Sequence, residues 1–253
     1  MFLDSKDLQS KKVFDLVKDD YQYAKVLSSF GIDFYNHYNE NLSELCTSKG
    51  ISSDKLLGYR QSINESFDFG NDVLISTPIN LVIEYLKHNH NYFVKNKLPY
   101  LQNLINNLPL NKTDLEFSKD LKFIFPIFFE DFVQHIYEEE NLHFEYIYKL
   151  FNALQGDINA SNLFIMMEKF SINKILLEHL NEDSEMEGIR GITHNYSYAT
   201  IKDLHLKVIF QELKEFDDEL SIHSDIENCI LFPRALKMEK KVSKILQSIS
   251  YQN

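Results

Sequence analysis

The sequence predicts an all-α protein in which a small helical domain precedes an up-down-up-down bundle of four long helices. Seven Gly and five Pro among 253 residues leave few turns for a β-sheet. Apolar residues recur at intervals of three and four over four long stretches, as on one face of a helix. Each stretch also carries one histidine on that face, at positions 90, 135, 179 and 223. The repeated unit is therefore a helix with a histidine in its core face.

Composition and charge limit the function classes. The chain is 44% hydrophobic and 25% charged, which is enough for a buried core in one or two domains. A net charge of −12 with no Lys/Arg-rich tract argues against nucleic acid or an anionic membrane as the main partner. The first twelve residues lack the apolar stretch of a signal peptide, and no run approaches the ~18 apolar residues of a membrane helix. We expect a soluble, cytoplasmic protein.

The two cysteines, Cys46 and Cys229, exclude a disulfide scaffold and a cysteine-based zinc site. Any bound metal must therefore be held by histidines and carboxylates. That donor set suits iron, manganese or zinc better than copper(I) or an iron–sulfur cluster.

Residues 1–70 are expected to form the small N-terminal domain. Its first helical pattern has Gly31 as a C-terminal cap, the second ends at Gly50, and the third starts from a serine N-cap. An irregular linker is predicted at 67–80. Thr77 as N-cap and Pro78 as first helical residue then start the second domain, residues 78–253.

Four helices are predicted in this second domain, at about 78–107, 113–154, 160–193 and 199–230. Pro126 should kink the second helix or mark a late start, and Pro233 should stop or bend the fourth before a short closing helix. The predicted inward faces are Ile83, Leu86, His90, Val94 and Leu101; Phe128, Phe132, His135, Glu139, Leu142 and Tyr146; Ile172, Ile175, Leu176, His179 and Met186; and Leu213, Phe216, Leu220, His223, Glu227, Ile230 and Leu231.

Two of the histidines are followed four residues later by a glutamate, which places both side chains on one helix face. Glu139 follows His135 and Glu227 follows His223. His90 and His179 are 89 residues apart, and the two His/Glu pairs are 88 apart. The spacing therefore predicts a two-fold repeat within the bundle. This repeat would bring six polar side chains, those of the four histidines and the two glutamates, to one level of the core.

These six residues predict a metal centre. Burying unpartnered imidazoles and carboxylates costs roughly 2–7 kcal/mol each, so something must satisfy them. Four imidazoles and two carboxylates are too many for one tetrahedral zinc and too few for two separately saturated metals. Two metals that share bridging carboxylates fit best, which in this donor set indicates a di-iron site. A single HxxxE pair is common in helices that bind no metal. Here two such pairs and two further histidines recur at matching sequence intervals, which favours a shared metal site.

Two further residues, His88 and Asp183, are candidate ligands. His88 competes with His90, but lies about 160° around the helix from the stripe of Leu86 and Val94, so His90 is preferred. Asp183, one turn after His179, could add a carboxylate or narrow an open coordination position, although an exposed side chain is the simpler interpretation. The four remaining histidines are interpreted as solvated or locally hydrogen-bonded: His37, His143, His194 and His205.

The chain resembles the repair-of-iron-centres family, hemerythrin-like di-iron proteins that restore iron–sulfur clusters after nitrosative or oxidative damage. Four segments carry the resemblance over nearly the whole length: IENCILFPRA, GIRGITHNY after Glu178-His179, HIYEEENLHF, and VIEYLKHNHNYFVKNKLPYL.

The resemblance implies a pair of non-haem irons with oxo and carboxylate bridges. The four bundle histidines would be terminal ligands, and Glu139 and Glu227 would bridge. Damaged iron–sulfur proteins are the implied partners and nitric oxide or oxygen the small ligands; a homodimer is left open. The implied chemistry is iron donation or reduction of nitric oxide, between which the sequence does not choose.

The chain departs from the family in its N-terminal segment. GIDFYNHYNENLSELC resembles the family segment in which GIDF leads into a Cys-Cys pair, but Tyr35 and Asn36 stand at those positions. The alternative function is a hemerythrin-like carrier or sensor of oxygen or nitric oxide. Hemerythrins place a second histidine where this chain has Asp183, which counts against the carrier. A bundle that serves only in protein interaction is the third alternative.

Overall fold

The structure is a computed structural model that describes residues 5–63, 71–109, 115–156, 160–182, 186–197 and 201–250. Over these ranges the chain is helical, and the only β-type pairing there is an isolated antiparallel bridge between Lys12 and Asn41. The all-α prediction is confirmed.

The N-terminal part is built of short helices. Gly31 (φ 72°) and Gly50 (φ 66°) each end a helix in the left-handed conformation, and the following N–H bonds back across the last turn, as predicted. The first predicted helix is interrupted at Asp20, whose carboxylate accepts the backbone N–H of Gln22 and competes with the helical hydrogen bonds. The helices are α1 Ser5–Ser10, α2 Val13–Asp19, α3 Gln22–Ser29, α4 Leu42–Ser48 and α5 Ser53–Ile63, with a 3₁₀ turn at Phe34–Asn36.

The predicted irregular linker is partly wrong. Residues 64–70, where the first domain was expected to end, lie outside the described residues, but Asn71–Ser76 forms α6. The Thr77 hydroxyl donates to the Val73 carbonyl instead of capping the next helix. Pro78 is the N-cap of α7 rather than its first residue.

Three long helical stretches carry most of the remaining chain, and each contains one widened π-helical segment. In the first and third of these, Leu98 N–H and Phe232 N–H bond five residues back. The stretches are α7 Ile79–Tyr92, Phe93–Lys97 and α8 Leu98–Asn106; α9 Leu115–Glu138, Glu139–Phe144 and α10 Glu145–Leu154; and α14 Leu204–Ile226, Glu227–Leu231 and α15 Phe232–Ser250.

The prolines do not break these stretches. Pro126 lies inside α9, which begins well before it, so a late start is wrong. Pro233 was expected to stop or bend the fourth helix before a short closing helix. The segment that contains Pro233 is instead the 19-residue helix α15. Pro233 is the second residue after a π segment, where the i→i−4 hydrogen bonds are already interrupted, so its missing N–H costs less there. Pro99 follows the first π segment in the same way.

The third predicted helix is divided into α11 Ala160–Lys169, α12 Ile172–Glu182 and α13 Glu187–Ile192. The first break has a tertiary cause. The Glu239 carboxylate of α15 accepts a hydrogen bond from the backbone N–H of Ile172. The first N–H groups of a helix have no partner within the helix, so this bond stabilises a new helix start at Ile172.

Two hydrophobic clusters form the core. The first joins the N-terminal helices to α8, α9 and most of α14, and the second joins α7, α10, α12 and α15. Three of the four candidate histidines lie on the chain between the two clusters; Leu86 of the second cluster and Phe93 of the first flank His90, for example, whereas His135 lies between Phe132 and Ile136 of the first. The polar residues are thus inserted where the apolar clusters meet.

Candidate metal centre

The four histidines at positions 90, 135, 179 and 223 lie close together. His90, His179 and His223 are buried, and His135 is about one-fifth exposed. The Nε2 atoms of His90 and His223 lie 3.0 Å apart. His90 comes from α7, His135 from α9, His179 from α12 and His223 from α14.

The Glu139 carboxylate lies between two pairs of histidines. Its Oε2 is 3.3 Å from Nε2 of His90, and its Oε1 is 3.2 Å from Nε2 of both His135 and His179. Its two oxygens therefore face different histidines, as those of a carboxylate that bridges two ions would.

Glu227 contacts two of the four histidines. Its Oε2 is 2.8 Å from Nε2 of His179, and its Oε1 is 3.4 Å from Nε2 of His223. The structure therefore brings together all six residues that the sequence selected. They form two overlapping groups with donor atoms within 4.8 Å of one another, one of His90, Glu139, His223 and Glu227, the other of His135, Glu139 and His179.

The π segments position these carboxylates. Glu139 and Glu227 are each the first residue of a π segment, and another starts three residues after His90. A π turn takes in one extra residue and re-aims the side chains around it, and such turns are frequent at functional sites. It also explains an error in the predicted inward face, because Leu142 within the second π segment is exposed.

The donor set fits a metal. Oε1 of Glu139 and Oε1 of Glu227 are buried and accept no hydrogen bond, although imidazole nitrogens lie 3.2 and 3.4 Å away. Buried carboxylate oxygens without a partner are costly, and a cation would satisfy them. The six residues could hold a metal ion, in agreement with the prediction.

The histidines and glutamates of the cluster shift one another's pKa values. Burial opposes charge on His179, but the adjacent carboxylates of Glu139 and Glu227 outweigh it and raise the pKa of His179 to about 11. Burial also opposes charge on His90, yet Glu139 raises its pKa. The pKa of Glu139 lies well below its usual range despite burial, because His135, His179 and His90 surround it. The site without metal is a network of paired charges.

One functional contact was missed by the sequence analysis. Nδ1 of His90 lies 2.9 Å from Oε1 of Glu140, and the His90 ring stacks on Phe144 with centroids 5.6 Å apart. A carboxylate on the far nitrogen fixes the orientation of a metal-binding imidazole. The run of three glutamates at 138–140 was the available signal, but such runs usually face solvent.

A cavity of about 260 Å³ reaches the centre. All six predicted ligands line it, together with Phe132 and Ile136 of α9. Its remaining wall comes from Met186 and Arg190 and from residues of α14, including Asp217 and Leu220. A small molecule in this cavity would contact the His/Glu cluster.

The predictions for the other histidines are partly confirmed and partly wrong. His88 is exposed, which confirms the preference for His90. His37 bonds locally to Glu40, as expected. His143 is half-buried, and its Nδ1 is buried without a hydrogen-bond partner. His205 was expected to be solvated or locally hydrogen-bonded but is almost completely buried, because Phe34 and Tyr35 of the N-terminal segment pack against it. Asp183 lies outside the described residues.

The Tyr35 and Asn36 positions lie on the 3₁₀ turn at Phe34–Asn36. The Tyr35 ring stacks on His205 with centroids 4.2 Å apart and planes 5° apart. Cys46 is buried and Cys229 exposed, and neither forms a disulfide. The Tyr35 position therefore supports packing between the N-terminal helices and α14.

Comparison with known proteins does not identify a family for this chain. No family model matches the chain, and neither does any curated protein. Within the part of the chain that the structure describes, no helix is both long and apolar enough to cross a membrane.

Proposed function

We propose that this chain holds a non-haem di-iron centre and repairs iron–sulfur clusters damaged by nitrosative or oxidative stress. The observation that carries the metal proposal is the position of Glu139, with one oxygen towards His90 and the other towards His135 and His179. Glu227 joins His179 to His223 in the same manner. One ion would lie between His90 and His223 and the other between His135 and His179.

The proposed architecture is a hemerythrin-like up-down-up-down bundle. The four walls would be α7 with α8, α9 with α10, α11 to α13, and α14. Contact of α8 with both α9 and α14, and of α10 with α7, supports this arrangement. Short connections between long helices favour antiparallel neighbours.

The negative charge of the cluster favours bound cations. Two ionised carboxylates among four imidazoles give the cluster two negative charges once the histidines are neutral, as metal ligands must be. Histidine and carboxylate donors suit iron. Bound iron would supply one-electron redox chemistry and coordination positions for small ligands. The six residues would hold the ions, and protonated histidines among them would release their protons when the metal binds.

The repair function rests on the resemblance described above, together with a centre that a small cavity reaches. Iron donation to a damaged cluster and reduction of nitric oxide are the two proposed chemistries. Both need exchange between the buried centre and the outside.

Metal analysis tests the centre. Anaerobic loading with ferrous iron should give about two irons per chain. Glu139→Gln should lose most of this iron, whereas Glu138→Gln, which changes the exposed neighbouring residue, should keep it. One tightly held zinc per chain, or equal iron in both variants, would refute the di-iron proposal.

Repair is tested separately by adding iron-loaded protein to an iron–sulfur enzyme inactivated by nitric oxide. Recovery of enzyme activity that depends on His90 but not on His88 would support repair. Reversible oxygen or nitric oxide binding with no recovery would favour the carrier or sensor instead.

A further inference from the structure

The backbone after α13 has an unusual conformation. His194, Asn195 and Tyr196 have φ angles of 49°, 54° and 59°. Side-chain-bearing residues rarely enter this left-handed region, and three in succession are disfavoured by contact between Cβ and the following carbonyl. Other interactions must hold these residues in place.

Asp217 of α14 supplies these interactions. Its carboxylate accepts two hydrogen bonds from Arg190, at 2.7 Å from Nε and 2.6 Å from Nη2, and a third from the Tyr196 hydroxyl at 2.9 Å. Arg190 and Tyr196 lie on either side of the first two left-handed residues. A single, largely buried side chain thus fastens the 186–197 segment to α14 at two points.

Local hydrogen bonds shape the segment but do not attach it to α14. The Thr193 hydroxyl donates to the Ile189 carbonyl, and the backbone N–H of Asn195 donates to the Arg190 carbonyl. The polar attachment to α14 therefore depends on Asp217.

The fastened segment forms a wall of the cavity at the candidate metal centre. Met186 and Arg190 line this cavity from one side, and Asp217 and Ser221 line it from α14. All six predicted ligands line the same space. Displacing the segment from α14 would widen the path to the ligands without altering any of them.

We propose that Asp217 is a positioning residue that holds the 186–197 segment closed against α14 and thereby limits the rate at which small molecules reach the centre. This role rests on the proposed function, since it requires a bound metal. It assigns a purpose to the Arg190 and Tyr196 positions of the GIRGITHNY segment, neither of which is a predicted ligand.

The experiment compares four cobalt(II)-loaded full-length proteins: wild type, Asp217→Asn, Tyr196→Phe and Asp218→Asn. Asp218→Asn is the matched control, because Asp218 is the next residue of α14 but forms an exposed pair with Lys214. Stopped-flow absorbance gives the association rate of azide, and a chelator gives the rate of cobalt removal. The visible bands of cobalt report whether the ligand geometry is unchanged.

The rates of azide association and cobalt removal should both rise several-fold in Asp217→Asn. They should rise by less in Tyr196→Phe, which keeps the ion pair between Arg190 and Asp217. The cobalt bands of all variants, and both rates of Asp218→Asn, should match wild type. If Asp217→Asn does not fold, Tyr196→Phe against Asp218→Asn still gives the comparison. Cobalt bound in every protein with equal rates would overturn the role of Asp217 alone. If wild type binds no cobalt, the proposed metal centre is refuted, and so is the proposal that Asp217 limits access to it.

Discussion

Oε1 of Glu140 lies 2.9 Å from Nδ1 of His90, on the side of the imidazole away from the cluster. Nε2 of the same ring lies 3.3 Å from Oε2 of Glu139. Two consecutive glutamates therefore contact opposite edges of one buried histidine. Both glutamates belong to the π segment Glu139–Phe144, and such segments are frequent at functional sites.

Glu140→Gln should weaken metal binding without removing a ligand. The neutral amide holds the His90 proton on Nδ1 less strongly, so Nε2 is a poorer and less well oriented donor. We expect metal affinity to fall about 10–100-fold, the usual effect of losing such a partner. Competition with a chromophoric chelator measures the change. Glu138→Gln is the control, and equal affinity in the two variants would show that Glu140 does not orient His90.

Metal binding should release protons. With a pKa of about 11, His179 is protonated at neutral pH in the metal-free protein. A metal ligand must be a neutral imidazole, so loading at pH 7 displaces this proton and the affinity rises with pH. A pH indicator in weakly buffered solution records the release as cobalt(II) is added. His179→Gln should release fewer protons per metal than His88→Gln, and identical release would contradict the assignment.

The six polar residues could be predicted because they depend on local geometry. Four-residue spacing puts a histidine and a glutamate on one helix face whatever surrounds them, and an interval of 44 or 45 residues repeats one helix with its loop. The left-handed and capping glycines follow from equally local rules.

What could not be predicted depends on contacts between distant parts of the chain. The break before Ile172 requires Glu239, and the burial of His205 requires Tyr35. The attachment of the left-handed residues 194–196 to α14 involves Asp217, which accepts the Tyr196 hydroxyl. A π turn likewise depends on packing, and sequence periodicity assumes its absence, which is why Leu142 was assigned to the wrong face.

His205 should make stability depend on pH. It is buried against Phe34 and Tyr35, with Asp33, Asp203 and Lys122 as the charged groups that act on it. Burial dominates and lowers the pKa of His205 to about 4. The unfolded chain, with a histidine pKa near 6.5, therefore binds the proton more readily, so the contribution is present above pH 6.5 and is lost as pH falls towards 4.

Between pH 7 and pH 5 the free energy of unfolding of wild type should fall about 2 kcal/mol further than that of His205→Phe. Phenylalanine keeps the stacking on Tyr35 but cannot bind a proton. Urea unfolding of both proteins in the same metal state gives the difference, and effects of the His/Glu cluster cancel because both contain it. His88→Phe should follow wild type. Parallel pH profiles for wild type and His205→Phe would show that His205 is not the responsible group.

Lys97 and Glu212 form a fully buried ion pair, with Nζ 2.9 Å from Oε2. Lys97→Met should lower the free energy of unfolding by about 3–5 kcal/mol, because it leaves the Glu212 carboxylate buried without its countercharge. Lys97→Met with Glu212→Leu should recover much of this loss, since no buried charge then remains unpaired. Urea unfolding measures both. Lys214→Met, which breaks an exposed pair, should change stability by less than about 1 kcal/mol. A double variant as unstable as the sum of its single variants would show that packing, not the unpaired charge, causes the loss.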